Sequence, residues 1–439
     1  MADHEFGFET LCLHAGQIPD AATGARAAPL YQTSSYVFDS AEHAASLFNL
    51  QTFGNVYSRL SNPTTAMFEE RMAALEGGRA ALAASSGMAA EMTTLLTLLE
   101  QGDDLVAART LYGGSISQFD VTFRKMGINT IFVDPDEPDN FRRALTPQTK
   151  AIFAETLGNP VINVLDIEAV AAIAREAGVP LILDNTIPSP YLCRPLEWGA
   201  DIVVHSATKF ICGHGTSIGG VLIEGGKFPW DNGKFPAMVE ASNGYHGVRF
   251  YETFGDFGFT MKARMETLRT LGQSLSPFNA WLFMQGLETL PVRMDRHCDN
   301  AMGVAKFLQD HPAVSWVNYP KLPSSQYYEL AQKYLPKGAS AVLTFGIKGG
   351  AGSSLAAGEK FIDSVQFMSH LANIGDAKTL VIHPASTTHR QLSEEQLAAA
   401  GVGADMIRLS VGLETLDDIL WDLDQALAKA TRQTQVALS

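Results

Sequence analysis

Asp201-Ile-Val-Val-His-Ser-Ala-Thr-Lys-Phe210, running on into Ile211-Cys-Gly-His-Gly-Thr-Ser-Ile-Gly-Gly220, is the stretch that decides the fold. Its Ile-Val-Val run is the short β-branched core of a strand covered on both faces. Ser206-Ala-Thr-Lys209 follows at once, so two hydroxyls and one amine stand where the strand emerges. Ligands of open α/β sheets collect at that edge. An amine held there beside apolar surface and fixed dipoles loses its proton near neutral pH and becomes a nucleophile toward an aldehyde. Lys209 therefore reads as a Schiff-base lysine.

A second strand lies upstream, Pro180-Leu-Ile-Leu-Asp184, and ends in a carboxylate followed by Asn185-Thr186. Pyridoxal 5'-phosphate asks a protein for an amine, a carboxylate that keeps its pyridine nitrogen protonated, an aromatic face and donors for its phosphate. Asp184 can supply the carboxylate, Lys209 the amine, and Ser206 and Thr208 hydroxyl donors. Ser85-Ser-Gly-Met88, between the apolar run 80–84 and a helical stretch 89–100, reads as a strand-to-helix turn. Free amides at Ser86, Gly87 and Met88 suit a phosphate. Tyr112, in Leu111-Tyr-Gly-Gly114, can supply the ring.

Around these residues, helical and strand patterns alternate from residue 63 to about 225. Strands are expected at 80–84, 104–108, 130–133, 150–155, 180–184 and 201–205, and helices at 64–76, 88–100, 115–126 and 167–177. Such alternation predicts an α/β architecture with a mostly parallel, helix-covered sheet. Gly102, Gly127 and Gly178 are expected to close three of the helices. Residues 1–63 have little periodicity and much Gly, Ala and Ser, which reads as an N-terminal arm. A Gly- and aromatic-rich insertion fills 225–261, and loops of such length in compact domains are usually functional or disordered. A smaller C-terminal α/β unit follows, with strands expected at 314–317, 341–346 and 406–411. Its last helix carries Leu416, Ile419, Leu420, Leu423 and Leu427 on one stripe, which reads as core packing. The expected division is an arm over 1–63, a large cofactor-binding domain over 64–275 and a small domain over 276–439.

Composition narrows the function classes. At 439 residues, 46% hydrophobic and 18% charged, the chain has the make-up of a compact soluble protein of more than one domain. A net charge of −15 argues against nucleic-acid and anionic-membrane partners, which ask for a basic face. No apolar run reaches membrane-spanning length, and the first residues lack a basic segment followed by an apolar one. Cys12, Cys193, Cys212 and Cys298 are scattered without metal or redox spacing, so reduced thiols in a cytoplasm are expected. Cys212 and His214 on a glycine loop do not make a metal site.

Taken in order, Tyr57-Ser-Arg-Leu-Ser-Asn-Pro63, Ser86-Gly-Met88, Asp184-Asn-Thr186 and Ser206-Ala-Thr-Lys209 resemble the cysteine/methionine-metabolism family of pyridoxal-phosphate enzymes, and within it the O-acetylhomoserine sulfhydrylases. The resemblance covers nearly the whole chain. It implies the type I fold of pyridoxal-phosphate-dependent transferases and a homotetramer built from shared-site dimers. In that arrangement Tyr57 and Arg59 reach the cofactor phosphate of a neighbouring subunit, Asn159 contacts the cofactor's ring oxygen, and Arg408 holds the substrate carboxylate with Ser386 in support. Arg408 is out of place on a buried strand unless paired, and a bidentate carboxylate would pair it. His383 and His389, in the same loop as Ser386, can be structural or catalytic.

The implied reaction is a γ-replacement. O-acetyl-L-homoserine and sulfide or methanethiol would give L-homocysteine or L-methionine plus acetate, with Lys209 moving protons and Tyr112 assisting. The insertion at 225–261 favours a sulfhydrylase over a cystathionine γ-synthase, which remains the nearest competitor. Family members of the methionine γ-lyase type carry a cysteine directly after Tyr-Gly, where this chain has Gly114.

Overall fold

The computed structural model describes residues 4–349, 353–387 and 402–431. Its central sheet has seven strands: β1 (Ala80–Ala84), β2 (Asp104–Ala108), β3 (Asn129–Val133), β4 (Thr149–Glu155), β5 (Leu181–Asp184), β6 (Ile202–His205) and β7 (Gly220–Glu224). They lie in the order β1-β7-β6-β5-β4-β2-β3. Every pairing is parallel except the two that β7 makes, with β1 and with β6. The expected mostly parallel sheet is therefore present, and β7 is a reversed strand that the sequence reading does not contain. Every residue of β6 and β7 is buried, as strands covered on both faces must be. Gly220 is needed where β7 begins, because a Cβ there would stand 2.1 Å from the Ser86 carbonyl oxygen.

Register sets the site. Glu155 pairs with Asp184, and Asp184 with Val204, so the last residues of β4, β5 and β6 reach one edge together. The helix Gly87–Leu98 starts at that edge after β1, and its N-cap Ser86 accepts the amide of Ala89. The helix Ile167–Ala177 ends as expected in left-handed Gly178. Gly102 is different: the helix Gly87–Leu98 is capped by extended Leu99, and Gly102 lies beyond it in the turn into β2.

A second sheet contains β8 (Val314–Asn318), β9 (Val342–Ile347), β10 (Ser369–His370), β11 (Leu380–Ile382) and β12 (Met406–Ser410). Its order is β10-β11-β12-β9-β8, antiparallel except between β10 and β11. The final helix, Leu416–Thr431, buries Ile419, Leu423 and Leu427 against this unit, with Leu416 and Leu420 packed partly buried beside them. Within residues 4–63 stand two short helices, Phe8–His14 and Ala41–Phe48, and an isolated bridge between Ser35 and Tyr57. In the 225–261 insertion, Phe228, Trp230, Phe235 and Phe259 pack ring against ring and join the main core. Among the described residues no helix is long and apolar enough to cross a membrane. All four cysteines are buried and free.

Candidate active site

Lys209 sits on a tight turn that begins where β6 ends. The amide of Lys209 donates to the Ser206 carbonyl at 3.2 Å, that of Cys212 to Ala207 at 2.9 Å and that of Gly213 to Lys209 at 2.8 Å. The chain just after β5 and just before β7 holds the turn in place: the Ser206 amide donates to Thr186 Oγ1 at 2.8 Å, and Thr208 Oγ1 both accepts from and donates to Gly219. The amine therefore projects from a fixed base into a cleft of about 260 Å³ at the strand ends. Burial lowers its pKa to about 8, the Arg408 charge pushes the same way, and Asp184 opposes both. Nζ donates to Asn373 Oδ1 at 2.5 Å.

Among the described residues three acids line this cleft, and only Asp184 of them was expected there. Asp184 ends β5 and accepts the Thr186 amide at 2.8 Å; burial raises its pKa while the Thr186 bonds lower it. Glu155 ends β4 and accepts the amides of Tyr112 at 2.6 Å and Asn159 at 3.1 Å. Glu91, one turn into the helix Gly87–Leu98, accepts from Ser115 Oγ at 2.9 Å. Burial, and then the charge of Asp184, hold Glu91 and Glu155 far above the ordinary carboxylate range. Of the three, Asp184 has the most to offset its burial, with the Thr186 bonds and the charges of His205 and Lys209 all lowering its pKa. The signal for Glu155 was present in the sequence, because it ends an apolar run as Asp184 does.

The donors expected for a phosphate line the same cleft: Ser86, Gly87 and Met88 on one side, Ser206 and Thr208 on the other. Gly87 allows the two turns to meet, since a Cβ there would be 2.7 Å from Ser206 Cβ. The amides of Gly87 and Met88 belong to the first helical turn, where no helical carbonyl reaches them. Tyr112 lies at the mouth with 51% of its surface exposed. Gly114 leaves room for that ring, because a Cβ at 114 would be 2.4 Å from Tyr112 Cε1.

Arg408, on β12, brings the second sheet to the cleft. Its Nη1 donates to Asn159 Oδ1 at 3.0 Å and its Nη2 to the Asn373 carbonyl at 3.4 Å. Both partners are neutral, and burial brings its pKa down to about 10. The peptide bond Asn159–Pro160 is cis. Asn373, which touches Lys209 and Arg408 alike, is absent from the sequence reading.

Ser386, Tyr57 and Arg59, all expected at the site, do not line the cleft. The hydroxyl of Ser386 bonds His383 Nδ1 at 2.9 Å, and His383 Nε2 bonds the Ala404 carbonyl at 3.0 Å, so Ser386 serves the loop's own structure. Asn373 occupies the place beside Arg408 that Ser386 was expected to take. His389 lies outside the described residues. Tyr57 is largely exposed, and the Arg59 guanidinium sits 5.5 Å over its ring and donates to the Arg269 carbonyl of its own chain.

A sequence profile of the Cys/Met metabolism PLP-dependent enzymes matches residues 9–428. The chain belongs to that family. Among curated relatives in the Cys/Met metabolism family, the O-acetyl-L-homoserine sulfhydrylase of Leptospira meyeri is 55% identical over 95% of this chain and 96% of its own length. O-acetyl-L-homoserine sulfhydrylase 1 of Thermus thermophilus is 50% identical over 96% of this chain and 100% of its own. The homocysteine synthase of Schizosaccharomyces pombe is 50% identical over 96% and 98%. A solved structure of a putative O-acetylhomoserine (thiol)-lyase from Campylobacter jejuni superposes with a TM-score of 0.92 at 41% identity, covering 96% of this chain and 100% of that one. It carries a pyridoxyl-lysine monophosphate.

The Cys/Met family enzyme described here has the pyridoxal-phosphate fold of type I, and pyridoxal 5'-phosphate is its cofactor. The cleft suits that group on its own chemistry. An amine whose pKa burial brings down to about 8, a carboxyl at the end of a strand, an aromatic ring and a set of amide and hydroxyl donors all open on one space.

Proposed function

We propose that the cleft catalyses γ-replacement on O-acetyl-L-homoserine, with sulfide or methanethiol as the nucleophile, and releases L-homocysteine or L-methionine and acetate. The observation that carries this reading is Lys209, an amine with a pKa near 8, set between the acid at one strand end, Asp184, and the Arg408 guanidinium, whose partners among the described residues are neutral. When bound, pyridoxal phosphate supplies the electron sink for the carbanion formed as the substrate loses its Cα proton.

Lys209 holds the cofactor and then, once freed by the substrate's amino group, moves protons at Cα and Cβ. Asp184 keeps the ring nitrogen protonated. Ser86, Gly87, Met88, Ser206 and Thr208 hold the phosphate, and Tyr57 and Arg59 reach the phosphate of a neighbouring subunit's cofactor. Asn159 has its Oδ1 engaged by Arg408, which leaves its amide hydrogens for the cofactor's ring oxygen. Arg408 takes the substrate carboxylate through its planar fork. Tyr112 stacks on the ring and assists proton transfer.

On this reading residues 1–63 form the arm that crosses to a neighbour, 64–275 the large domain and 276–439 the small one. Shared-site dimers pair into a homotetramer in the cytoplasm.

The test is a product assay by mass spectrometry on the purified protein with pyridoxal phosphate and O-acetyl-L-homoserine, offering sulfide, methanethiol and cysteine separately, with Lys209→Ala as control. Homocysteine or methionine from the unsubstituted protein alone supports the reading. Cystathionine as main product moves it to the synthase, and 2-oxobutanoate with ammonia, whatever thiol is present, shows that elimination dominates.

A further inference from the structure

The turn that carries Lys209 is gripped from behind by one buried guanidinium. Arg293 lies in the helix Leu290–Asp310. Its Nη1 donates to the Phe210 carbonyl at 2.8 Å, its Nη2 to the carbonyls of Gly286 at 2.6 Å and Ile211 at 3.5 Å, and its Nε to Thr289 Oγ1 at 3.2 Å. Every acceptor is neutral. Holding a cation in such a place costs several kcal/mol unless excellent geometry offsets it. Here the fork takes the Phe210 and Ile211 carbonyls of the tight turn and joins Thr289 on the Gly286 carbonyl at the end of the helix Pro277–Glu288.

Two glycines exist to permit this contact. At Gly213, whose φ is +73°, a Cβ would stand 2.2 Å from Arg293 Nη1. At Gly286 a Cβ would stand 2.2 Å from the Ile211 oxygen, so the turn rests directly on helix backbone. The same helix also holds the other side of the cleft. His297 Nδ1 bonds the Val411 carbonyl at 2.7 Å, and Asn300 Nδ2 donates to Gly412 and Glu414, each at 2.9 Å. These residues follow β12, the strand of Arg408. Positions 293, 297 and 300 share one helix face.

We propose that Arg293 is a positioning residue for Lys209: its fork on the Phe210 and Ile211 carbonyls fixes the base of the lysine, and together with His297 and Asn300 it sets the span between Lys209 and Arg408. The proposal rests on the reading of Lys209 as the reacting amine. Lys209 and Arg408 face each other across the cleft, so a shift of the turn changes both the reach of the amine and the charge it feels.

Arg293→Lys keeps the charge and removes the fork. The holoenzyme variant is compared with the unsubstituted protein in kcat and KM for O-acetyl-L-homoserine with sulfide, in the pH midpoint of the cofactor's absorbance change, and in thermal midpoint. We expect kcat to fall on the order of tenfold to a hundredfold with KM within about threefold, and the absorbance midpoint to move. A purely structural arginine would lower the thermal midpoint and leave the absorbance midpoint in place, and an unmoved absorbance midpoint overturns the proposal whatever kcat does. Should Arg293→Lys not fold, Gly213→Ala displaces the guanidinium from the turn with the arginine retained, and the same midpoint decides. If the unsubstituted protein makes no product, the reaction assignment falls, and the absorbance midpoint still judges Arg293.

Discussion

Lys209 Nζ donates to Asn373 Oδ1 at 2.5 Å, and the carbonyl of the same asparagine receives Nη2 of Arg408 at 3.4 Å. One neutral residue thus touches both cations of the cleft without adding a charge. Asn373→Asp would place a carboxylate there. A negative neighbour favours the ammonium form, so the Lys209 pKa should rise above about 8 and the alkaline rise of the rate should move to higher pH. Rate profiles of the two proteins check this, and superimposable profiles would sink the idea.

Arg408 is held by an asparagine side chain and a carbonyl, which leaves its charge for a ligand. Arg408→Lys retains the charge and loses the bidentate geometry. The expected cost is about 1.5–3 kcal/mol, on the order of tenfold to a hundredfold in kcat/KM, carried mainly by KM for the amino-acid substrate. Steady-state kinetics decide, and a normal KM would mean that the substrate carboxylate binds elsewhere.

At residue 114 any side chain collides with the Tyr112 ring, 2.4 Å from the added Cβ. Gly114→Ala should displace that ring and lower kcat about tenfold, with the thermal midpoint nearly unchanged because the ring is half exposed. Activity equal to that of the unsubstituted protein would show that Tyr112 can move without consequence.

Glu224, at the end of β7, accepts both the amide and the hydroxyl of Thr260 at 2.8 Å, and burial raises its pKa from 4.5 to about 7. The folded state therefore holds this proton more tightly than the unfolded chain. Its contribution to stability is complete below pH 4.5 and is lost as pH rises through about 7. Glu224→Gln should flatten that loss, which is on the order of 2–3 kcal/mol. Denaturant titrations at pH 5 and pH 8 measure it. An equal drop in both proteins would mean that the carboxyl ionises as freely folded as unfolded.

The parts of the site that could be read in the sequence share one property. Asp184 directly follows an uninterrupted apolar run, and Lys209 stands five residues beyond another, Ile202-Val-Val204; such a run identifies both a buried strand and its open end. Glu155 follows the same rule at the end of β4. Glu91 does not, because it lies among alanines and threonines in a helix of weak amphipathic pattern, and only the docking of that helix turns it inward. Asn373 lies in irregular chain between β10 and β11, where no period marks which side chain points where.

By itself the sequence determined the alternation of strands and helices, the lysine and aspartate at the strand ends, and the stripe that packs the last helix. Those features follow from local spacing, since burial on a strand or helix repeats with its period. Tertiary structure alone decided that β7 runs backwards beside β1, that the second sheet is largely antiparallel, that Asn373 meets the Lys209 amine in a cleft which Glu91 also lines, and that Arg293 grips the turn behind it. Pairing direction and the approach of distant side chains depend on how whole elements dock, and no period within a single element encodes that.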